Sequence, residues 1–266
     1  MSVQANDRWL VKPSPNPTAG TALIALSFAG GGASAFRSWP KRLPIDTELL
    51  CVELPGRESR LREPPIGDLS RVIDALREAL PSALAGRRFA LFGHSLGALL
   101  AFELARALRD DGLGEPAFII ASGREAPTRR EPGRQMHALV DDEFVDEMIS
   151  RYDGIPKILL DEPELLELFL PAMKADMRLT ETYVYRPAAR FTCPIHVLTG
   201  NQDTRLTRDL LLPWAEETTG DAPLTYFPGG HFFIRDSQAD VLAYVRDALN
   251  EMPADVAQSR TELSDT

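Results

Sequence analysis

The sequence is poor in the residues that would commit it to a disulfide framework, a metal or a membrane. Only 2 cysteines and 4 histidines occur among 266 residues. Cys51 lies inside an apolar run and Cys193 directly before Pro194, and neither has a partner at metal-ligand spacing. Both read as buried, reduced thiols, and no metal site is expected. No segment approaches the roughly 20 consecutive apolar residues that span a bilayer. Residues 1–20 carry Asn6, Asp7, Arg8, Pro13, Pro15 and Pro17 without an apolar stretch, so no signal peptide is expected and the chain is placed in the cytoplasm. Positive charge is also in deficit, with 29 Lys and Arg against 39 Asp and Glu, a net charge of -10. That balance argues against a nucleic-acid binder and against attraction to anionic lipid.

What is present is an alternation of short apolar runs and amphipathic segments. Strand-like runs fall at Ala22 to Phe28, Leu49 to Leu54, Phe89 to Phe92, Phe118 to Ala121, Ile195 to Thr199 and Leu224 to Phe227. Their continuous apolarity is that of strands covered on both faces. Helical periodicity appears from Leu69 to Leu84, Leu96 to Asp110 and Gln238 to Asn250. These features predict an α/β protein with a mostly parallel, doubly wound sheet, which places its site beyond the carboxyl ends of the strands. Between Ala121 and Cys193 the alternation stops, and helical segments are expected at Glu143 to Tyr152, Pro163 to Leu170 and Pro171 to Tyr183. The expected organisation is an N-terminal segment at 1–20, a catalytic domain at 21–252 with a helical lid inserted at about 124–190, and a disordered polar tail at 253–266.

Gly93-His94-Ser95-Leu96-Gly97 joins a strand-like run to a helical one. Gly-x-Ser-x-Gly in that setting is a nucleophile elbow, whose sharp turn raises a serine hydroxyl above the sheet and leaves no room for side chains beside it. Ser95 is therefore the candidate nucleophile. A serine needs a base oriented by a third group. His231, in Gly229-Gly230-His231-Phe232-Phe233 after the last strand, is the best placed of the four histidines; His94 lies within the elbow, His137 in the lid and His196 inside a strand. Asp203 follows the Ile195 to Thr199 strand directly, ahead of Asp209 and Asp236 as the orienting acid. The order Ser95, Asp203, His231 is that of α/β hydrolases. Oxyanion donors are expected from the Leu96 amide and, in the loop Phe28-Ala29-Gly30-Gly31-Gly32, from the Ala29 amide. The same glycine run lacks the Lys-Ser/Thr pair of a phosphate cradle.

Further motifs stand in order around these residues. They are Ala29-Gly30-Gly31 with Ser34-Ala35-Phe36, Leu54-Pro55-Gly56-Arg57, Phe92 to Ala98, Ala121-Ser122-Gly123 with Ala126-Pro127, Lys174-Ala175-Asp176 and Cys193-Pro194-Ile195, ending at Gly229 to Phe233. From about Trp9 to Val245 the chain resembles the type II thioesterases that accompany modular polyketide synthases and nonribosomal peptide synthetases. The resemblance implies an α/β-hydrolase fold and an editing activity. The substrate would be an acyl group thioester-linked to the phosphopantetheine arm of an acyl or peptidyl carrier protein. It implies no cofactor beyond the arm the substrate carries, and a monomer is expected. Phe28 departs from the histidine that many members carry there, which leaves a backbone oxyanion hole intact but removes any polar role for that side chain.

A site accepting carbon chains should be mainly apolar. Phe28, Phe169, Met173, Met177 and Phe232 are the candidate lining of an acyl chamber. Because the chain itself is acidic, docking of an acidic carrier would need a local basic patch. Arg57, Arg60 and Arg62 form one candidate group, and Arg124, Arg129, Arg130 and Arg134 a second. The triad alone leaves open a small-molecule carboxylesterase or lipase, acyl transfer to an acceptor other than water, and more remotely a noncatalytic scaffold.

Overall fold

The computed structural model describes residues 7–129, 135–152, 155 and 157–252; the expected tail, Arg130 and Arg134 lie outside the described residues. Seven strands form one sheet: β1 (Leu10–Val11), β2 (Thr21–Leu26), β3 (Thr47–Val52), β4 (Arg88–His94), β5 (Ile119–Ser122), β6 (Ile195–Gly200) and β7 (Leu224–Phe227). Their order is β1-β3-β2-β4-β5-β6-β7. All neighbours run parallel except β1, which pairs antiparallel with β3 through Leu10 opposite Val52 and Val11 opposite Cys51. That seventh strand lies in the segment expected to stand outside the domain. Two residues are too few to show a periodicity.

The helices are α1 (Leu69–Leu84), α2 (Leu96–Asp110), α3 (Asp141–Tyr152), α4 (Lys157–Asp161), α5 (Pro163–Glu181), α6 (Arg208–Leu211), α7 (Phe233–Asp236) and α8 (Gln238–Asn250). They cover both faces of the sheet, as period-2 alternation in β2 requires. Ala22, Ile24 and Leu26 enter the layer packed with Val72, Leu76 and Leu80 of α1 and Leu100 and Leu104 of α2. Leu23 and Ala25 face the opposite layer with Val241, Leu242 and Val245 of α8. Asp68 caps α1, its carboxylate accepting from the amides of Ser70 and Arg71. Both thiols are buried and unpaired, and burial pushes the Cys193 thiol up to about 12.

Between β5 and β6 the chain builds α3, α4 and α5, with Phe144, Met148, Leu170, Met173 and Met177 forming a separate apolar cluster. The two helices expected on either side of Pro171 are one continuous helix. Proline removes the bond to the carbonyl of Glu167, but both residues are exposed, so water can take that acceptor. Among the described residues no helix is long and apolar enough to cross a membrane.

Candidate active site

Ser95 stands between β4 and α2 with φ 56 and ψ -112, a sparsely populated conformation for a residue with a side chain. Such a backbone costs about 1–3 kcal/mol and persists only where its surroundings enforce it. Here the elbow packs against the sheet. A Cβ on Gly93 would stand 2.0 Å from the Gly97 carbonyl oxygen, and one on Gly97 2.1 Å from that of Leu26. The Ser95 amide donates to the Ser122 carbonyl at 2.8 Å, holding the turn to β5.

Asp203 and His231 come from the loops after β6 and β7. Those loops are joined by main-chain bonds from Asn201 to Phe227 (2.8 Å) and from Gln202 to Gly229 (2.9 Å). His231 Nδ1 lies 2.7 Å from Asp203 Oδ2, both side chains being buried, whereas Asp209 in α6 and Asp236 in α7 make no such contact. Burial alone would raise the Asp203 pKa, but the hydrogen bond to His231 and the Arg205 charge outweigh it and hold the carboxyl below its ordinary value. Burial lowers the pKa of His231; the Asp203 hydrogen bond opposes this and Arg205 reinforces it, leaving the imidazole less basic than a free histidine. The other histidines are engaged elsewhere. His94 Nδ1 meets Ser122 Oγ at 2.9 Å, His196 Nδ1 meets Tyr244 Oη at 2.8 Å, and His137 Nδ1 meets Glu181 at 2.5 Å.

Ser95 and His231 line one solvent-open cavity together with Ala29 and Leu96. Leu96 is the first residue of its helix, so its amide has no intrahelical partner. Phe28, Phe232 and Met177 also line this cavity. A second, adjoining cavity shares Phe28 and Ala29 and brings in Phe169 and Met173. Phe28 also packs against its neighbours, its ring 5.1 Å from that of Phe232 and the Arg235 guanidinium 4.6 Å above it. Among the described residues no group of three or more His, Cys, Asp or Glu is arranged to hold a metal.

The expected docking patch is corrected at three of its arginines, because they are buried. Arg57, 2% exposed, grips Asp176 of α5 through Nη1 to Oδ2 at 2.6 Å and Nη2 to Oδ1 at 2.8 Å. Asp176 also accepts from the Gly30 amide at 2.7 Å, and Arg57 Nη1 donates to the Gly31 carbonyl at 3.1 Å. The pair thus ties the insertion to the loop that carries Ala29. Arg60, 7% exposed, donates to the Glu53 carbonyl and to Glu63 and covers the Trp9 ring at 4.3 Å. Arg124, 5% exposed, faces the Ser95 carbonyl at 3.4 Å and lines the first cavity. Arg62 is exposed, and Arg129 is exposed in an ion pair with Glu216 at 3.2 Å.

Several residues around Ser95 and His231 escape a reading of the chain alone. Tyr152, Arg205, Glu125 and Thr180 line the same cavity. Of these only Arg205 carries a local signal, a cation two positions after the candidate acid; Tyr152 and Thr180 reach the site through the packing of α3 and α5.

A mostly parallel sheet of this order, with a serine on a strained strand-to-helix turn, defines the α/β-hydrolase class of serine hydrolases. The thioesterase domain family matches residues 21–249, and the chain belongs to that family as a thioester hydrolase. It is 34% identical to the gramicidin S biosynthesis protein GrsT of Aneurinibacillus migulanus, over 90% of this chain and 93% of that protein. It is 35% identical to the thioesterase PikA5 of Streptomyces venezuelae, over 91% of this chain and 85% of that protein. Among solved structures it superposes on the type II thioesterase BorB from the borrelidin biosynthetic cluster with a TM-score of 0.81 and 35% identity, covering 92% of this chain and 97% of that one.

Proposed function

We propose that Ser95, His231 and Asp203 act as nucleophile, base and orienting acid, and that the chain hydrolyses acyl groups from the phosphopantetheine arm of carrier proteins. In this reading it clears stalled or aberrant units from a polyketide or nonribosomal peptide assembly line. The observation that carries the reading is the lining of one cavity by Ser95, His231, Ala29 and Leu96, with His231 Nδ1 held 2.7 Å from Asp203. Similarity to GrsT, PikA5 and BorB supports the carrier-bound substrate.

Ser95 Oγ attacks the thioester carbonyl while His231 Nε2 takes its proton and Asp203 fixes the tautomer by accepting from Nδ1. The Ala29 and Leu96 amides hold the oxyanion. The C–S bond then breaks, His231 gives its proton to the departing sulfur or, where that leaves as thiolate, to solvent, and an acyl-serine remains beside a neutral His231. His231 next removes a proton from water, which attacks the ester, and returns that proton to Ser95 Oγ as the acid is released. Every group needed is a side chain, an amide or water, so no cofactor is required. The helical insertion at about 124–190 acts as a lid, and Phe28, Phe169, Met173, Met177 and Phe232 receive the acyl chain.

The test is to load a panel of acyl groups on candidate carrier domains and follow release by intact-protein mass spectrometry. The expected kcat/KM on the carrier thioester exceeds that on a matched short oxygen ester by at least about tenfold, or 1.4 kcal/mol. Equal or better turnover of the free ester would instead make the chain a general esterase.

The pH dependence follows from His231. The base must be neutral in the free enzyme, and burial with Arg205 lowers its pKa below the ordinary 6.5. Hence the acid limb of kcat/KM should have its midpoint below pH 6.5. A pH profile with its acid midpoint at 7 or above (about the value of an imidazole stabilised by a carboxylate) would contradict this environment for His231.

A further inference from the structure

Arg205 follows Asp203 in the loop after β6 and has two polar partners at one nitrogen. Its Nη2 lies 3.2 Å from Asp203 Oδ2 and 2.7 Å from His231 Nδ1. The same Nδ1 stands 2.7 Å from Asp203 Oδ2. An imidazole Nδ1 has a single in-plane position, which holds either a hydrogen or a lone pair. With the hydrogen it donates to Asp203; with the lone pair it accepts from Arg205. Both bonds cannot form together, because a guanidinium only donates.

The choice decides the chemistry at the other ring nitrogen. When Nδ1–H donates to Asp203, Nε2 keeps its lone pair and can take a proton from Ser95. When Arg205 donates to Nδ1, the neutral ring carries its hydrogen on Nε2 and cannot act as a base. A cation at this distance also opposes the imidazolium that forms in the transition state. Arg205 is not required by the core, since its side chain is 31% exposed. It is held over the ring of Tyr152, the last residue of α3, with the guanidinium carbon 4.1 Å from the ring centroid. Tyr152 in turn lies 5.6 Å from the His231 ring.

We propose that Arg205 is a positioning residue that competes with Asp203 for His231 Nδ1 and, held by Tyr152 of the insertion, stabilises the unproductive tautomer until the guanidinium withdraws. The inference rests on the reading of Ser95, His231 and Asp203 as a triad. The groups facing His231 are Asp203 and Arg205 after β6, Glu125 after β5, His94 at the end of β4 and the Tyr152 ring from α3. Asp203 and Glu125 favour the imidazolium and Arg205 opposes it. Burial keeps His94 neutral, so it adds no fixed charge there.

The experiment compares Arg205→Met, Arg205→Lys and Tyr152→Leu with the parent chain, using an acyl thioester of N-acetylcysteamine and recording kcat/KM against pH. Removing the cation raises the basicity of His231, so in Arg205→Met the acid limb moves up by about half to one pH unit and kcat/KM at pH 8 rises roughly threefold to tenfold. Tyr152→Leu should shift both in the same direction by less, and Arg205→Lys, which keeps the charge, should hold the acid limb near its parent position. A fall in kcat/KM for Arg205→Met, or an unmoved acid limb, would overturn the inference and make Arg205 a support for Asp203 or a bystander. Labelling by a fluorophosphonate separates the two levels. Labelling that survives Ser95→Ala would sink the triad reading itself; labelling lost in Ser95→Ala with an unmoved Arg205→Met profile would sink only the role of Arg205.

Discussion

Replacing Ser95 with alanine is expected to lower kcat on any acyl thioester by on the order of 10⁴-fold or more, with little change in KM. The strained backbone at φ 56 has no purpose in the fold that alanine would serve less well, so the loss should be chemical rather than structural. The Leu96 amide and the cavity lining remain, and they should leave a residual rate of direct attack by water above the uncatalysed one. Asp203→Asn should fall in the same direction, since an amide presents an N–H where His231 Nδ1 needs an acceptor. Single-turnover kinetics with an acyl thioester would separate these losses from weaker binding. An alanine variant retaining a tenth of the parent kcat would show that Ser95 is not the nucleophile.

The second large effect is expected at the Arg57 and Asp176 pair. Both side chains are buried, at 2% and 1% exposure, so removing one leaves the other as an uncompensated charge. That should cost about 3–5 kcal/mol. For a chain of this size the midpoint of thermal unfolding would drop by on the order of 10 °C. Asp176→Ala should also reduce kcat, because the Gly30 amide loses its acceptor and the adjoining Ala29 amide is no longer held toward the site. A double change, Arg57→Met with Asp176→Leu, distinguishes the two roles. Apolar replacement of a buried ion pair often recovers stability, but it cannot restore the acceptor for Gly30. Thermal unfolding should therefore recover while kcat stays low. If both recovered, the pair would be a packing element with no hold on the loop.

Much of the architecture was readable along the chain because its signals are local. Continuous apolar runs mark strands covered on both faces, and the change to 3.6-residue periodicity marks α1, α2 and α8. Gly93 and Gly97 announce the elbow because the turn excludes any side chain there. The misreadings have equally physical causes. Leu10–Val11 is a strand only because β3 offers it an edge. Pro171 sits mid-helix because its freed carbonyl partner is exposed. Arg57, Arg60 and Arg124 look like surface cations until the fold surrounds them with Asp176, the Glu53 carbonyl and the Ser95 carbonyl.

By itself the sequence determined the α/β class, the strand-to-helix turn that carries Ser95 and the candidate order Ser95, Asp203, His231, since each depends on residue type beside a strand end. Tertiary structure decided what those residues touch. It joined the loops after β6 and β7 so that Asp203 meets His231, placed Asp176 of the insertion under the Gly30 amide, and set Arg205 against His231 beneath Tyr152. Such contacts join residues far apart in the chain or depend on side-chain direction, and neither leaves a periodic trace in a linear sequence.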